Sequence, residues 1–300
     1  MRAAVVRNPL SHRNRGAAGG GRTDVPVAEP DTPEALAADL KRFAADGVEL
    51  LVIDGGDGTV REVASALAAA FGERPPVLAV LPSGKTNILA FDLGVPRSWS
   101  LEALLTAAQR PVLKTRAPLE LRRQGEDATL SGFLFGAAGF VRAKAVAEEL
   151  HRAGVVNNSA VALALARGVT GAIGGGGHGA WRDGDPLSLS IDGAPARAGA
   201  RFVTLATTLQ RLPFAMRPFG PGGPGLKFLD VDAPPRGLAW TLPGLLWGRD
   251  ESGLADRGYR RGAAARLEIS LPTPFVLDGE VYSGGDLTLS EGPPLRFLTP

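Results

Sequence analysis

Leu51-Val52-Ile53-Asp54-Gly55-Gly56-Asp57-Gly58-Thr59-Val60-Arg61-Glu62-Val63 is the stretch that decides how this chain is read. Glu49 to Ile53 reads as a buried strand, and it passes directly into three glycines and two aspartates. An alanine-rich helix then runs from Val60 to Phe71, with Thr59 expected as its N-cap. Glycines let a backbone turn sharply and come close to a ligand. A helix N-terminus offers unpaired N–H groups suited to phosphate. Two aspartates beside such a site fit either a shared cation or a carboxylate that accepts a proton. A glycine turn alone would be an ordinary strand-to-helix connection. The full D-G-G-D-G-T string leaving a buried strand points to Mg-nucleotide chemistry.

The surrounding sequence repeats this geometry. Ala3 to Val6 is a short strand ending at Asn8-Pro9. Thr32-Pro33-Glu34 opens a helix carrying Leu36, Leu40 and Phe43, which Gly47 stops. Val77 to Leu81 is a strand, followed by Pro82-Ser83-Gly84-Lys85-Thr86-Asn87 and a short helix to Leu93. Gly84-Lys85-Thr86 looks like the end of a Walker A loop. The position five before Gly84 is Ala79, however, so a P-loop is rejected. A helix from Ser100 to Ala108 and a strand from Val112 to Ala117 complete an alternating pattern, which implies a parallel sheet covered on both faces. Two adjacent phosphate-suited loops place a nucleotide at the carboxyl edge of that sheet. Arg13 to Arg22, crowded with glycine, alanine and arginine, reads as a mobile loop.

Beyond residue 118 the rhythm becomes short strands and turns. Strands are expected at Leu119–Arg122, Ala128–Leu130, Leu187–Ile191, Phe202–Thr207, Arg266–Leu271, Phe275–Leu277, Leu287–Leu289 and Leu295–Leu298. Helical patterns interrupt them at Val141–His151 and Ser159–Thr170. The expected domains are 1–118 and 119–290, with 291–300 returning to the first.

Composition narrows the function. A formal charge of +2 is too small to imply a nucleic-acid partner. The absence of cysteine excludes disulfides, thiolate zinc sites and cysteine nucleophiles. His12, His151 and His178 show no metal-ligand spacing. Nowhere do eighteen uncharged apolar residues run together, and the N-terminal apolar stretch is too short for a signal peptide. A cytoplasmic protein with at most peripheral membrane contact is expected. Trp240 to Trp247 would line an acyl channel, rest on a bilayer, or be ordinary core.

Gly55-Gly56-Asp57-Gly58-Thr59, followed about twenty-five residues later by a P-x-G-x-x-N-x-x-A-x-x-L-G pattern starting at Pro82, resembles the catalytic domain of the diacylglycerol, sphingosine and ceramide kinases. Asn8-Pro9-Leu10-Ser11, Glu62 and Leu277-Asp278-Gly279-Glu280 agree with the resemblance, which spans nearly the whole chain. It implies a Rossmann-like α/β nucleotide-binding domain followed by a mainly antiparallel β-sandwich, with the active site in the cleft between them. It further implies ATP and Mg2+ as cofactors and a membrane lipid, of diacylglycerol or ceramide/sphingoid type, as phosphoryl acceptor. Gly55, Gly56, Gly58 and Thr59 would form the phosphate loop, with Asp57 acting in Mg-ATP organisation or catalysis. Asn8, Glu62, Gly84, Lys85, Thr86 and Asn87 would surround the nucleotide, and Glu280 would take the proton from the lipid hydroxyl.

Two departures accompany the resemblance. The family's P-x-G-T-G-N-D becomes Gly84-Lys85-Thr86-Asn87-Ile88. Lys85 either adds positive charge for the phosphates or is a solvated loop lysine. The family's D-G-x-L-D-V, part of an ancillary cation site, is Leu226 to Val231 here, which puts that site in question. A nicotinamide nucleotide kinase and an inactive lipid- or nucleotide-binding homologue are the alternative readings.

Overall fold

A computed structural model describes residues 1–15, 24–152, 179–213, 216–220, 223–249 and 252–300. The chain divides into two units, Met1–Pro118 with Pro293–Pro300, and Leu119–Gly292.

The first unit is α/β. Its elements are β1 (Ala3–Arg7), β2 (Val27–Ala28), α1 (Pro33–Ala45), β3 (Leu50–Gly55), α2 (Asp57–Phe71), β4 (Val77–Pro82), α3 (Ile88–Leu93), α4 (Leu101–Ala107) and β5 (Val112–Arg116), joined by a C-terminal strand, Leu295–Thr299. The six-stranded sheet runs β2-β1-β3-β4-C-terminal strand-β5. All its pairings are parallel except the last, where the C-terminal strand meets β5 antiparallel. β3 and β4 are almost wholly buried, which explains their continuous apolar runs. Thr32 caps α1 by accepting from the Ala35 N–H at 3.1 Å, with Pro33 in the first turn. Leu36, Leu40 and Phe43 are the helix's buried stripe. Register fixes the functional edge: Arg7 lies opposite Asp54, and Gly55 opposite Pro82. The loops after β1, β3 and β4 therefore leave the sheet side by side.

Two local expectations are corrected here. α2 starts at Asp57 with Gly56 as its N-cap, so Thr59 is an internal first-turn residue. Its side chain is buried and engaged by Asn8 instead. Arg13 to Arg15 are not a loose loop: the Arg13 N–H donates to the Ser83 carbonyl at 3.0 Å, and Asn14 is buried. The remainder of that expected loop, the helix expected at Ser159–Thr170, and the side chains of His151 and His178 lie outside the described residues.

The second unit is one curled antiparallel sheet. It contains β6 (Leu119–Arg123), β7 (Thr129–Gly132), β8 (Leu134–Ala138), α5 (Gly139–Arg152), β9 (Asp185–Ile191), β10 (Arg197–Thr207), β11 (Leu226–Asp232), a helix Leu238–Leu246, β12 (Tyr259–Ala264), β13 (Arg266–Leu271), β14 (Phe275–Leu277), β15 (Glu280–Tyr282) and β16 (Gly285–Glu291). The strands follow the order β15-β14-β8-β10-β9-β13-β16-β6-β7, with β11 and β12 branching from β10. β10 permits the branch because it is long: Arg197–Arg201 pair with β9, Val203–Thr207 with β8, and Arg201–Thr207 with β11. Alternate residues of these strands converge on a core that includes Leu121, Phe135, Leu189, Phe228, Ile269, Phe275 and Leu289.

Candidate functional site

At the carboxyl edge of the first unit the loops are locked together by main chain and small polar side chains. The Asn8 N–H donates to the Asp54 carbonyl at 2.9 Å, and Asn8 Nδ2 donates to Thr59 Oγ1 at 3.1 Å. Asn8 Oδ1 accepts from the Leu10 N–H at 2.9 Å, closing the turn after β1. Asn14 Nδ2 bonds the Asn8 carbonyl at 2.9 Å and Asp54 Oδ1 at 3.1 Å, while Ser83 Oγ donates to the same Asp54 oxygen at 2.5 Å. Arg7 Nε lies 3.6 Å from the other Asp54 oxygen. Asp54 is thus the structural aspartate of the pair, joining β1, β3 and β4.

The glycines are required by space. A Cβ on Gly55 would lie 2.5 Å from Thr59 Cβ, and one on Gly84 would lie 2.5 Å from Gly56 Cα. Asn87 sits in the left-handed region at φ 56° and closes the second loop, accepting from the Gly84 N–H at 2.9 Å and donating to the Gly84 carbonyl at 2.7 Å. α2 begins with no side-chain cap hydrogen bond. Its leading N–H groups, with the dipole of a fifteen-residue helix behind them, suit an anion brought close by the glycines.

Asp57 serves both loops. Its residue is half-buried, and desolvation of the carboxyl dominates, pushing its pKa up to about 6. Backbone N–H groups of Leu89, Ile88 and Asn87, and the Arg97 charge, limit that rise. The carboxyl therefore faces the start of α3. Around this centre, Glu62 is exposed and lies 3.4 Å from the buried Arg61 guanidinium. Thr86 is half-buried, and Lys85 is exposed with its carbonyl held by Arg97.

Glu280 belongs to the second unit, where it is exposed at the start of β15. It follows a two-residue hairpin in which Asp278 and Gly279 have φ of 47° and 86°, and Leu277 pairs with Glu280. Asp278 is buried and anchors the hairpin. Its Oδ1 accepts from Phe133 N–H at 3.0 Å and Leu134 N–H at 2.8 Å, and its own N–H donates to the Leu134 carbonyl at 3.0 Å. The sequence pattern singled out Glu280; the structure gives its neighbour the positioning work.

The Leu226–Val231 stretch is β11, with a changed chemistry. Lys227 Nζ donates to the Leu209 carbonyl at 2.9 Å. Fully buried Asp230 accepts from Arg201 Nε at 2.9 Å, Thr204 Oγ1 at 2.8 Å and Arg260 Nη2 at 2.8 Å. Guanidiniums thus occupy the carboxylate around which an ancillary cation would gather. Among the described residues no three His, Asp or Glu are grouped to hold a metal. A nucleotide-bound Mg2+ does not need such a group, because one or two carboxylates and the phosphates themselves hold it.

Asn14, Ser83 and Asp278 were not reachable as positioning residues from the sequence. Their partners lie far along the chain, and short polar residues beside glycines look like ordinary turn formers.

The fold and these loops define a two-unit protein with a phosphate-suited edge on an α/β first unit. Residues 22–116 match the family model described as the diacylglycerol kinase catalytic domain, the segment that carries both glycine loops. It is 41% identical over 73 residues to "Probable lipid kinase YegS-like" of Cronobacter sakazakii, covering 24% of each chain. The corresponding protein of Serratia proteamaculans is 38% identical over 82 residues, covering 27% of this chain and 25% of that one. The matched stretches therefore span about a quarter of those curated relatives. A crystal structure of a diacylglycerol kinase from Bacillus anthracis str. Sterne superposes with TM-score 0.61 at 14% identity, covering 100% of this chain and 97% of that one. Another structure from the same organism reaches TM-score 0.67 at 16% identity, covering 100% and 96%. These similarities establish the shared fold across both units.

Proposed function

We propose that the protein is an ATP-dependent kinase that transfers the γ-phosphoryl group to a hydroxyl of a membrane lipid. The observation that carries this reading is the backbone contact of Gly56 with Gly84, which sets two anion-suited loops side by side within the segment of the family match. When bound, Mg-ATP supplies the phosphoryl group and the metal's charge neutralisation. The chain's own residues do the positioning. Gly55 and Gly56 let the backbone close against Thr59 and Gly84, Gly58 follows in the first turn of α2, and the opening N–H groups of that helix donate to the phosphate oxygens. Asn8 and Asn87 shape the loops rather than spend their amides on ligand. Asp57 couples the two loops and is the carboxylate available for organising Mg2+. Lys85, exposed beside the second loop, adds positive charge.

Glu280 is the proton acceptor for the lipid hydroxyl in this reading. Its exposed place on a hairpin anchored by Asp278 supports that role. No described helix is long and apolar enough to cross a membrane. Peripheral contact would come from the helix Leu238–Leu246, where Trp240 is 86% exposed and Trp247, just beyond its end, is 60% exposed. The substrate class is tested by incubating purified protein with Mg2+, γ-labelled ATP and, separately, diacylglycerol, ceramide, a sphingoid base and NAD. Label on a lipid supports the reading. Label on NAD alone would replace it with the nicotinamide nucleotide kinase.

A further inference from the structure

A cavity of about 500 Å³ opens in the second unit where β10 begins and β11 ends. Its lining includes Arg197, Gly199, Arg201, Asp232, Arg236 and Arg257. Arg201 is also the partner of Asp230, but none of the lining residues belongs to the glycine loops or to the Asp278–Glu280 hairpin. The Asp278–Glu280 hairpin is attached through β8 to the opposite end of β10, at Leu205–Thr207. Six residue steps along the strand lead from Arg201 to Thr207, a span of about 20 Å.

The arginines fall into two sets. Arg201 is fixed at the back of the cavity, donating from Nε to both oxygens of Asp230 at 2.9 and 3.0 Å and lying 3.3 Å from Asp232. Arg260 Nη1 donates to Asp232 Oδ2 at 3.0 Å. Burial alone would raise the pKa of Asp232, but the Arg260 bond and the Arg260, Arg201 and Arg197 charges outweigh it and hold the group below the usual carboxylate range. The single lining carboxylate is therefore charged and already engaged. Arg257 is oriented by Thr241 Oγ1 at 3.1 Å. Arg197 and Arg236 differ: both are exposed, and neither guanidinium has a hydrogen-bond or ion-pair partner among the described residues.

Glycine clears the floor, since a Cβ on Gly258 would lie 2.8 Å from Asp232 Oδ2. With Arg201 committed to Asp230 and Asp232, the exposed Arg197 and Arg236 and the oriented Arg257 leave the lining net positive and make an anion site, and the planar guanidinium fork matches phosphate oxygens. The volume falls within the roughly 300–1,000 Å³ of small-molecule pockets, which points to a phosphate carried on an organic group rather than a bare ion. We propose that this arginine-lined cavity binds a phosphate ester, from either a soluble phosphorylated metabolite or an anionic lipid headgroup. The exposed Trp240, four residues after Arg236, lies close by in sequence for a headgroup at a membrane surface.

The test compares the full-length wild type with Arg197→Ala/Arg236→Ala, and with Arg122→Ala as a remote exposed control. Calorimetry with glycerol phosphate forms one arm. Flotation with phosphatidylcholine vesicles, with and without phosphatidylglycerol, forms the other. The wild type is expected to bind saturably in at least one arm. The double variant should bind about tenfold or more weakly, as loss of a charge-assisted hydrogen bond implies, while melting normally. Arg122→Ala should bind as wild type. Binding in the soluble arm assigns a free phosphate ester; binding confined to phosphatidylglycerol vesicles assigns a headgroup. Failure of the wild type to bind either probe overturns the proposal. So does wild-type binding by the double variant, or an equal loss in Arg122→Ala. Kinase activity is not the readout, so this result stands apart from the proposed reaction.

Discussion

Gly56 and Gly84 meet backbone to backbone, so that a Cβ on Gly84 would stand 2.5 Å from the Gly56 Cα. The neighbour is main chain at the N-cap of α2 and has no rotamer through which to yield. Gly84→Ala should therefore destabilise the protein by about 1–3 kcal/mol, the usual cost of overpacking, and weaken ATP binding because the loops part. Urea unfolding and ATP titration check this. An unchanged variant would show that the contact does not set the loops.

Asp57→Asn separates stability from activity. The folded pKa of Asp57, about 6, lies above the ordinary value of 3.8, so between those values the folded state holds the proton the unfolded state has released. Stability is therefore lost as pH rises through this window, by about 3 kcal/mol in all at ~1.4 kcal/mol per unit. Asparagine keeps an acceptor for the α3 amides without the charge. The variant should melt at or above the wild-type temperature at pH 8, lose most of the wild-type dependence between pH 4 and 6, and lose phosphoryl transfer. Melting curves across pH and a transfer assay measure both halves.

The β14–β15 hairpin makes two distinguishable predictions. Glu280→Gln should lower kcat by about 10²- to 10⁴-fold and leave ATP affinity and melting unchanged. Asp278→Ala should remove the acceptor for the Phe133 and Leu134 N–H groups. That costs about 1–3 kcal/mol and lowers activity through the displaced hairpin. A shift in ATP affinity alone for Glu280→Gln would make it a nucleotide contact.

Leu245 is buried, whereas Trp240 and Trp247 are exposed. The informative membrane variant is therefore Trp240→Ala/Trp247→Ala, which spares the buried face. Vesicle cosedimentation and activity on bilayer lipid should fall, with activity on a short-chain soluble analogue retained. Equal loss on both substrates would mark the tryptophans as catalytic or structural.

The α/β half was legible because its physics is local. Leu50–Ile53 is buried on both faces and cannot be mistaken for an amphipathic helix, and Thr32-Pro33-Glu34 carries its own start signal. The second unit was read less completely. β8 was missed because Gly136 and the following alanines weaken the strand signal; a Cβ at Gly136 would strike the Phe140 ring at 2.2 Å. β11 was read as an altered motif, although its residues are nearly all buried between β10 and β12. Thr59 looked like a cap because its residue type favours that place, yet Gly56 takes it so that α2 opens without a side-chain cap. In the functional site, the glycine strings could be seen in sequence. The hydrogen bonds from Asn14 and Ser83 to Asp54 span forty and twenty-nine residues and could not.

The most direct measurement is the mass spectrum of lipid recovered after incubation with Mg-ATP and purified protein, wild type beside Asp57→Asn. The account predicts a lipid that gains one HPO₃ on its hydroxyl with wild type, matched by ADP release, and none with the variant. Wild-type protein that binds ATP yet phosphorylates no lipid of the panel, or equal product from Asp57→Asn, would contradict it.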